Sequence, residues 1–218
     1  MLNKKLNKIR IYVLELLTVA YLILPVLIYY FTFTKWIFSL LAILALFLIV
    51  FASIKFKSVN PKNKLKLFSS KKSVVIFFIT LLIICLWLFL TGVGDFTYQQ
   101  TDYLKHNTIL KDLIANEWPF AYSTETQTQP FVYYFAYYIP AALIGKIAGF
   151  TSANITFYIW TFIGVTLGFS WIFKFLKRVS LCPVIVLICF GGLDFLGHII
   201  TNGALPPIGT HLEWWATI

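Results

Sequence analysis

The chain has 218 residues, of which 60% are hydrophobic and only 12% are charged, and its formal net charge is +10. Soluble domains carry about 25% charged residues, so this composition excludes an ordinary soluble domain and indicates a membrane protein. The positive charge does not indicate nucleic-acid binding, because the basic residues form short blocks between apolar runs, as they do in cytoplasmic loops of membrane proteins.

Six apolar stretches are long enough, or nearly so, for a membrane helix, which needs about 20 residues. They are Ile11–Phe33, Trp36–Ile54, Val74–Thr91, Pro130–Ala148, Ile155–Phe173 and Leu181–Ile200. The sequence therefore predicts an all-α, polytopic bundle of about 5–6 transmembrane helices. The three cysteines lie inside or at the edge of these runs, so we expect them to be packing or lipid-facing residues.

The basic residues predict the orientation of the first helices. Lysines crowd the N-terminus and the 55–73 loop, and that loop contains no acid. Two helices separate these blocks, so both are expected in the cytoplasm, and the third helix then delivers the acidic loop 92–129 to the outside. We therefore divide the chain into residues 1–73, two transmembrane helices with a Lys-rich cytoplasmic loop, and residues 74–218, a membrane core. The predicted location is the cytoplasmic membrane, with several crossings and the N-terminus inside.

The sequence leaves the topology of the second half open. If Pro130–Ala148 spans the membrane, the basic residues Lys174, Lys177 and Arg178 fall outside, against the usual bias. If that run is re-entrant or interfacial, they return to the cytoplasm and the last helix delivers the C-terminus to the outside. The final stretch "TNGALPPIGTHLEWW" has the character of the beginning of a loop, which predicts that the chain is the front part of a longer protein.

The outside loop carries a helical pattern from Thr101 to Asn116. Apolar residues such as Leu110 recur on one side of this helix, and Asp102 and His106 are neighbours on the other. The pattern predicts an extracytoplasmic juxtamembrane amphipathic helix lying at the membrane interface. On it, Asp102 is a candidate general base or divalent-metal ligand, and Lys105 and His106 are candidate phosphate contacts. The alternative is an ordinary solvated helix.

Two further acids stand out. Asp95 follows "TGVG" at the outer end of the third helix, where it is either a catalytic carboxylate or a surface end-cap. Asp194 lies in "CFGGLDFLGH" within the last apolar run, with His198 one turn on as its candidate partner. An acid inside the membrane is a functional hypothesis by default. The alternative is a position near the interface, where the glycines let water or backbone satisfy it.

The order of these features resembles the N-terminal portion of GT-C-type membrane glycosyltransferases. The resemblance rests on the acid-bearing outside loop, "TDYLKHNTILKDLI", the following "WP", the aromatic-rich "PFVYYFAYYIPAALIGKIAG" and a helix ending in "FKFLKR". It is closer to a group of uncharacterised bacterial multipass proteins of GT-C character, in which an element like "GLDFLG…HLEWW" also recurs. No Asp-x-Asp motif is present.

The resemblance implies an enzyme that moves a sugar from a polyprenyl-phosphate donor to an extracytoplasmic acceptor. It implies that an acid of the first outside loop is catalytic, which assigns that role to Asp102 with Asp95 as its rival. Lys105, His106 and Glu213 would contact the donor, and Asp102 would be the ligand of any divalent metal such as Mg²⁺ or Mn²⁺. The expected partners are the lipid bilayer and a polyprenyl-phosphate-linked sugar.

Two other classes of protein are consistent with the sequence. A transporter or permease fragment would use Asp194 as an intramembrane relay and the outside loop as a lid. A non-catalytic membrane protein would need none of these side chains. The glycosyltransferase hypothesis predicts that Asp102→Asn abolishes activity while Asp194→Asn is mild, and the transporter hypothesis predicts the reverse.

Overall fold

The computed structural model describes residues 2–56, 70–97, 99, 102–123, 127–190 and 199–204. The helices are α1 (Leu2–Phe33), α2 (Trp36–Phe56), α3 (Lys71–Leu90), α4 (Asp102–Ala115), α5 (Ile139–Ala148), α6 (Phe150–Leu176) and α7 (Cys182–Phe190). Two strands, β1 (Ala121–Ser123) and β2 (Thr128–Pro130), lie between α4 and α5 in sequence, and a 3-10 turn at Phe135–Tyr137 precedes α5. The described chain is therefore mostly helical, as predicted.

Three of the predicted spans form helices that are long and apolar enough to cross a membrane. These are Val13–Phe33 of α1, Lys71–Leu90 of α3 and Phe150–Leu176 of α6. Large apolar side chains such as Phe31, Phe78 and Ile159 stand exposed on them. Such exposure is unfavourable in water and normal in lipid, so the protein is a membrane protein.

The other three predicted spans come out differently. Helix α2 has 21 residues, but the apolar stretch described in full, Trp36–Ile49, is shorter than a span. Pro130–Ala148 contains only the ten residues of α5 as α-helix, about 15 Å long, which is half of the hydrocarbon thickness. Helix α7 covers nine residues of Leu181–Ile200, and residues 191–198 of that stretch lie outside the described part. Six complete spans are therefore not found among the described residues.

The segment between α4 and α5 contains a small β-hairpin, which the sequence analysis did not predict. Strands β1 and β2 pair antiparallel, with Tyr122 opposite Gln129, and Phe131 N–H extends the pairing by donating to the carbonyl of Phe120. Both strands are exposed along their length. Short, exposed strands lack the alternation of apolar and polar residues that marks a half-buried strand, so the sequence pattern did not reveal them.

The described chain divides into two compact units. The first contains α1, α2, α4 from Asn107 onward, the β-hairpin, α5 and α6 up to Trp160. The second contains α3, the beginning of α4 up to His106, α6 from Thr161 and α7. In the second unit α3 contacts α7, and Thr80, Ile84 and Val184 are among its most deeply buried side chains.

In the first unit, α1 and α2 form a tight helical hairpin. Only Thr34 and Lys35 separate them. The buried Ser39 hydroxyl donates to the carbonyl of Tyr30 and lies 2.8 Å from the hydroxyl of Thr34, which itself donates to the same carbonyl. These bonds satisfy a backbone acceptor that the end of α1 would otherwise leave without a partner.

The end of α4 is capped by residues from elsewhere in the first unit. The indole N–H of Trp118 donates to the carbonyl of Leu113 at 2.7 Å, and the Lys146 ammonium donates to the carbonyls of Ile114 and Asn116. The same ammonium lies 5.0 Å from the centre of the Trp118 ring. A cation at the C-terminal end of a helix is favourable because the last carbonyls carry partial negative charge.

Close packing between α4, α5 and α6 depends on Gly145. A Cβ atom at this buried position would lie 2.6 Å from Cδ1 of Ile114 and 2.8 Å from Cβ of Ala153. Cβ atoms do not approach that closely, so any side chain here must push α5 away from its neighbours. Glycine is the residue that lets the three elements touch.

We predict that Gly145→Ala lowers the free energy of unfolding by about 1–3 kcal/mol, the usual cost of overpacking. The matched control is Gly168→Ala, also within a helix, where a Cβ meets nothing within 4 Å. That change should be neutral or stabilising, because alanine favours helix over glycine by about 1 kcal/mol. Adding Ala153→Gly to Gly145→Ala should restore part of the loss. Thermal unfolding in detergent measures all four proteins, and equal midpoints for the two single Ala variants would contradict the packing.

Candidate functional site

The turn that follows α3 places Asp95 at a defined position. Gly92 and Gly94 have φ of 82° and 87°, values that glycine adopts without steric cost. Asp95 N–H donates to the carbonyl of Gly92 at 3.2 Å, and the Gln99 side chain donates to the same carbonyl at 2.7 Å. The Thr97 hydroxyl donates to the carbonyl of Phe89. The turn thus satisfies carbonyls at the end of the helix.

Asp95 itself is an unfavourable residue for this turn. Its φ is 63°, in the left-handed region that costs most residues about 1–2 kcal/mol, although aspartate tolerates it better than most. Its exposed carboxylate also follows the C-terminal end of α3, where negative charge is destabilising. The end-cap interpretation of Asp95 is therefore weak, because glycine or asparagine would serve better there.

The first turns of α4 carry the other candidate residues. Asp102 and Lys105 are exposed and His106 is half-buried. The Tyr103 ring meets the His106 ring edge-on at 5.7 Å, and the Tyr103 hydroxyl hydrogen-bonds with the side chain of Thr91. This bond ties the start of α4 to the end of α3, so within the second unit the helix that bears the candidates is held at the end of a membrane-length helix.

His106 is mostly a neutral hydrogen-bonding group in this setting. Burial lowers the pKa of its imidazole from the usual 6.5, the charge of Lys105 lowers it further, and the carboxylate of Asp102 opposes both. A neutral imidazole binds phosphate through one N–H and brings no positive charge. Lys105 is therefore the cation of this group. Burial also raises the pKa of Tyr103, with the Thr91 hydrogen bond opposing it.

No metal centre is present among the described residues, since no three His, Cys, Asp or Glu side chains within those ranges lie together. A Mg²⁺ or Mn²⁺ at Asp102 would take its remaining ligands from substrate phosphate and water, which is common for Mg²⁺. That role for Asp102 stays a prediction.

The acid Asp112, in the first unit, has a different role. Its carboxylate accepts a hydrogen bond from the hydroxyl of Tyr122 on β1. Partial desolvation of its hydroxyl, and after it the bond to Asp112, raises the pKa of the exposed Tyr122 to about 12. This pair fixes the β-hairpin to the side of α4, so Asp112 is a structural residue and a useful control for the candidates at the start of the helix.

Three candidate residues lie outside the described part of the chain. They are the intramembrane pair Asp194 and His198, and Glu213. Their predicted roles stay predictions.

Sequence reasoning missed Lys146 and the aromatic cluster around it. The cluster consists of rings that contact one another at 4.7–5.9 Å between centroids, namely Tyr29, Phe33, Trp118, Phe120, Tyr122, Phe131 and Phe135. Lys146 was visible as the single charge in an apolar run, which signals a partner inside the protein. The aromatic residues come from distant parts of the sequence, so their mutual packing depends on tertiary contacts.

The chain was compared with protein-family models, curated proteins and solved structures, and none of them matches it. Its class therefore rests on its own residues: a helical membrane protein with a polar group of candidate residues at the junction of α3 and α4.

We predict that the two neighbours of His106 move its pKa in opposite directions. Asp102→Asn should lower the pKa further, and Lys105→Gln should raise it. The measurement is an NMR titration of protein carrying ¹³C-labelled histidine, with the His106 signal assigned by its loss in His106→Gln. Shifts of the same sign in both variants would contradict the arrangement.

The same titration has a consequence for stability. The pKa of His106 is lower in the folded state than in the unfolded one. The contribution of the neutral His106 to the free energy of unfolding is therefore fully present above the unfolded pKa near 6.5. That contribution is lost as the pH falls through the folded pKa. Lys105→Gln should therefore weaken the acid dependence of unfolding.

We predict that Asp95→Gly raises the free energy of unfolding by up to about 1 kcal/mol, because glycine adopts the positive φ without steric cost. Asp95→Ala is the matched control, since it removes the charge and keeps the steric cost of φ 63°. It should gain less than the glycine variant. Denaturant titrations in detergent give the two values, and an alanine variant as stable as the glycine variant would rule out backbone strain at this position.

Proposed function

We propose that the chain is the N-terminal portion of a GT-C-like membrane glycosyltransferase, which moves a sugar from a polyprenyl-phosphate donor to an extracytoplasmic acceptor. The observation that carries the proposal is the group at the start of α4. An exposed carboxylate at Asp102, an exposed ammonium at Lys105 and a half-buried imidazole at His106 share the first turns of a helix joined to the end of α3 through Tyr103 and Thr91.

In this proposal the N-terminus and the Lys-rich loop face the cytoplasm, and α3 runs outward. The loop 92–129 then lies outside the cytoplasmic membrane, with α4 as a juxtamembrane amphipathic helix. Support comes from the distribution of charge in the sequence and from the exposure of Asp102 and Lys105 in the first turns of α4. The short α5 also favours this topology, because Lys174, Lys177 and Arg178 at the end of α6 then return to the cytoplasm.

The chemistry requires a base, a reacting hydroxyl and a charged leaving group. Asp102 accepts the proton of the acceptor hydroxyl, and the hydroxyl oxygen forms a bond to the anomeric carbon of the sugar. The bond from that carbon to the phosphate oxygen breaks, and the polyprenyl phosphate leaves with the electron pair. Lys105 stabilises the charge on that phosphate, and His106 donates a hydrogen bond to it. Asp95 is the alternative base.

Donor turnover in membranes tests this proposal. Substitutions are introduced at the gene's own locus, so that the protein is tested as the cell makes it. Isolated membranes receive a panel of polyprenyl-phosphate-linked sugars, and mass spectrometry measures the polyprenyl phosphate that is released. Asp102→Asn should lower turnover by about 10²–10⁴-fold, the usual contribution of general-base catalysis. Lys105→Gln should chiefly raise the KM for the donor.

The matched control is Asp112→Asn, on the same helix, whose carboxylate is bound to Tyr122. It should keep turnover near the parent level at equal protein abundance. Full activity in Asp102→Asn with loss in Asp95→Asn would assign the base to Asp95. Loss of substrate uptake in Asp194→Asn, with Asp102→Asn unaffected, would replace the enzyme by a transporter.

A further inference from the structure

The segment from Phe131 to Gly149 lies against two membrane-length helices in the first unit. Its helix α5 packs on α1. Near the end of α1, Phe33 contacts the rings of Trp118 and Phe135 at 5.1 Å and 4.9 Å. Deeper along α1, the ring of Tyr21 stacks on that of Trp160 in α6 at 4.1 Å. The C-terminal end of α1 and the N-terminal end of α6 therefore lie at the same level.

Helices α5 and α6 form an antiparallel hairpin about Gly149. Gly145, near the end of α5, meets Ala153, near the start of α6. Tyr138, at the start of α5, stacks on Phe157 further along α6, with ring centres 5.3 Å apart and planes 8° apart. With a rise of 1.5 Å per residue, Phe157 lies about 10 Å along α6 from its first residue. The start of α5 is thus about 10 Å deeper along the α6 axis than its end.

Burial changes along α5 in the way that a half-inserted helix requires. Its deep first turn is covered by protein: Ile139, Ala141 and Ala142 have no exposed surface. Pro140 lacks an N–H, which removes one of the donors that a helix start leaves without a partner. Backbone that is not a continuous spanning helix is tolerated at membrane depth only when protein covers it.

The shallow end of the segment is apolar and exposed. Ile147 is 81% exposed, Val132 is 82% exposed, and Ile144 and Tyr134 are also exposed. Lys146, the only charged residue between Pro130 and Gly149, is bound to the carbonyls of Ile114 and Asn116 and to the ring of Trp118. Lys146 is exposed, but its ammonium is held by these partners, and the other exposed side chains are apolar or aromatic, a surface that water disfavours and lipid accepts.

We propose that residues 131–149 form a re-entrant element that enters only the membrane leaflet at the C-terminal end of α1, with Ile144 and Ile147 in contact with lipid acyl chains. The partner is the bilayer itself, because the segment is continuous with α1 and α6, whose apolar surfaces already require lipid. The chain enters beside Phe135, turns at Tyr138 and returns to the surface through α5 before α6 crosses.

Fluorescence quenching in phosphatidylcholine vesicles tests the depth of this element. Single cysteines replace Ile144, Ile147, Leu82 or Glu117 in the whole chain freed of its three native cysteines, and each is labelled with NBD. Leu82, exposed near the middle of α3, is the deep reference, and the exposed Glu117 is the aqueous reference. Quenchers are iodide in water and lipids that carry a doxyl group at carbon 5 or carbon 12.

We expect Ile144 and Ile147 to be quenched best by 5-doxyl lipid, Leu82 by 12-doxyl lipid and Glu117 by iodide alone. Quenching of Ile144 by iodide without an effect of doxyl lipids would overturn the proposal, because the surface would then lie in water. Strongest quenching of Ile144 by 12-doxyl lipid would overturn it too, because the segment would then reach the bilayer centre.

If the cysteine-free protein does not fold, photo-cross-linking tests the same insertion in the native chain. A benzophenone amino acid replaces Ile147. Photolysis in vesicles of radiolabelled phosphatidylcholine should cross-link lipid to the protein at position 147 and leave the same probe at Glu117 unlabelled. Equal labelling at the two positions would contradict insertion.

Discussion

Hydrocarbon offers no hydrogen-bond partner, so each polar group in a membrane-length helix must find one within the protein. The hydroxyls of the apolar helices meet this requirement locally. Thr18 and Thr32 in α1, Thr80 in α3 and Ser170 in α6 each donate to the carbonyl one turn earlier. The same requirement shapes the links between helices, where Ser39 closes the end of α1 and Lys146 closes the end of α4.

Thr166 is the exception among the described residues. Its buried hydroxyl, within α6, has no hydrogen-bond partner. Burying such a group without a partner costs about 1–3 kcal/mol, while its neighbours on the helix follow the local pattern. The polar side chains of the apolar helices thus find their hydrogen-bond partners almost entirely within their own helix. The ends of the helices, by contrast, are bonded by residues from other elements.

This division explains how much the sequence could predict. The apolar runs of α1, α3 and α6 follow from composition alone, and the bounds of α4 follow from the spacing of its apolar residues. Both signals are local. The length of α5, the β-hairpin and the partners of Lys146 depend on contacts between distant residues, so the hydropathy of residues 130–148 could not decide between a span and a shorter helix. At the candidate site, spacing predicted that Asp102 and His106 are neighbours, whereas the neutral state of His106 depends on its burial.

The two-residue link between α1 and α2 has a consequence for how the protein enters the membrane. We expect two helices joined so tightly, and bonded across the link by Ser39 and Thr34, to be inserted as a pair rather than one after the other. If the pair crosses the membrane together, the basic residues in the first turns of α1 and those that follow α2 stay on the same side. On that expectation, this hairpin sets the orientation of α3 and of the residues proposed for catalysis before they have been synthesised.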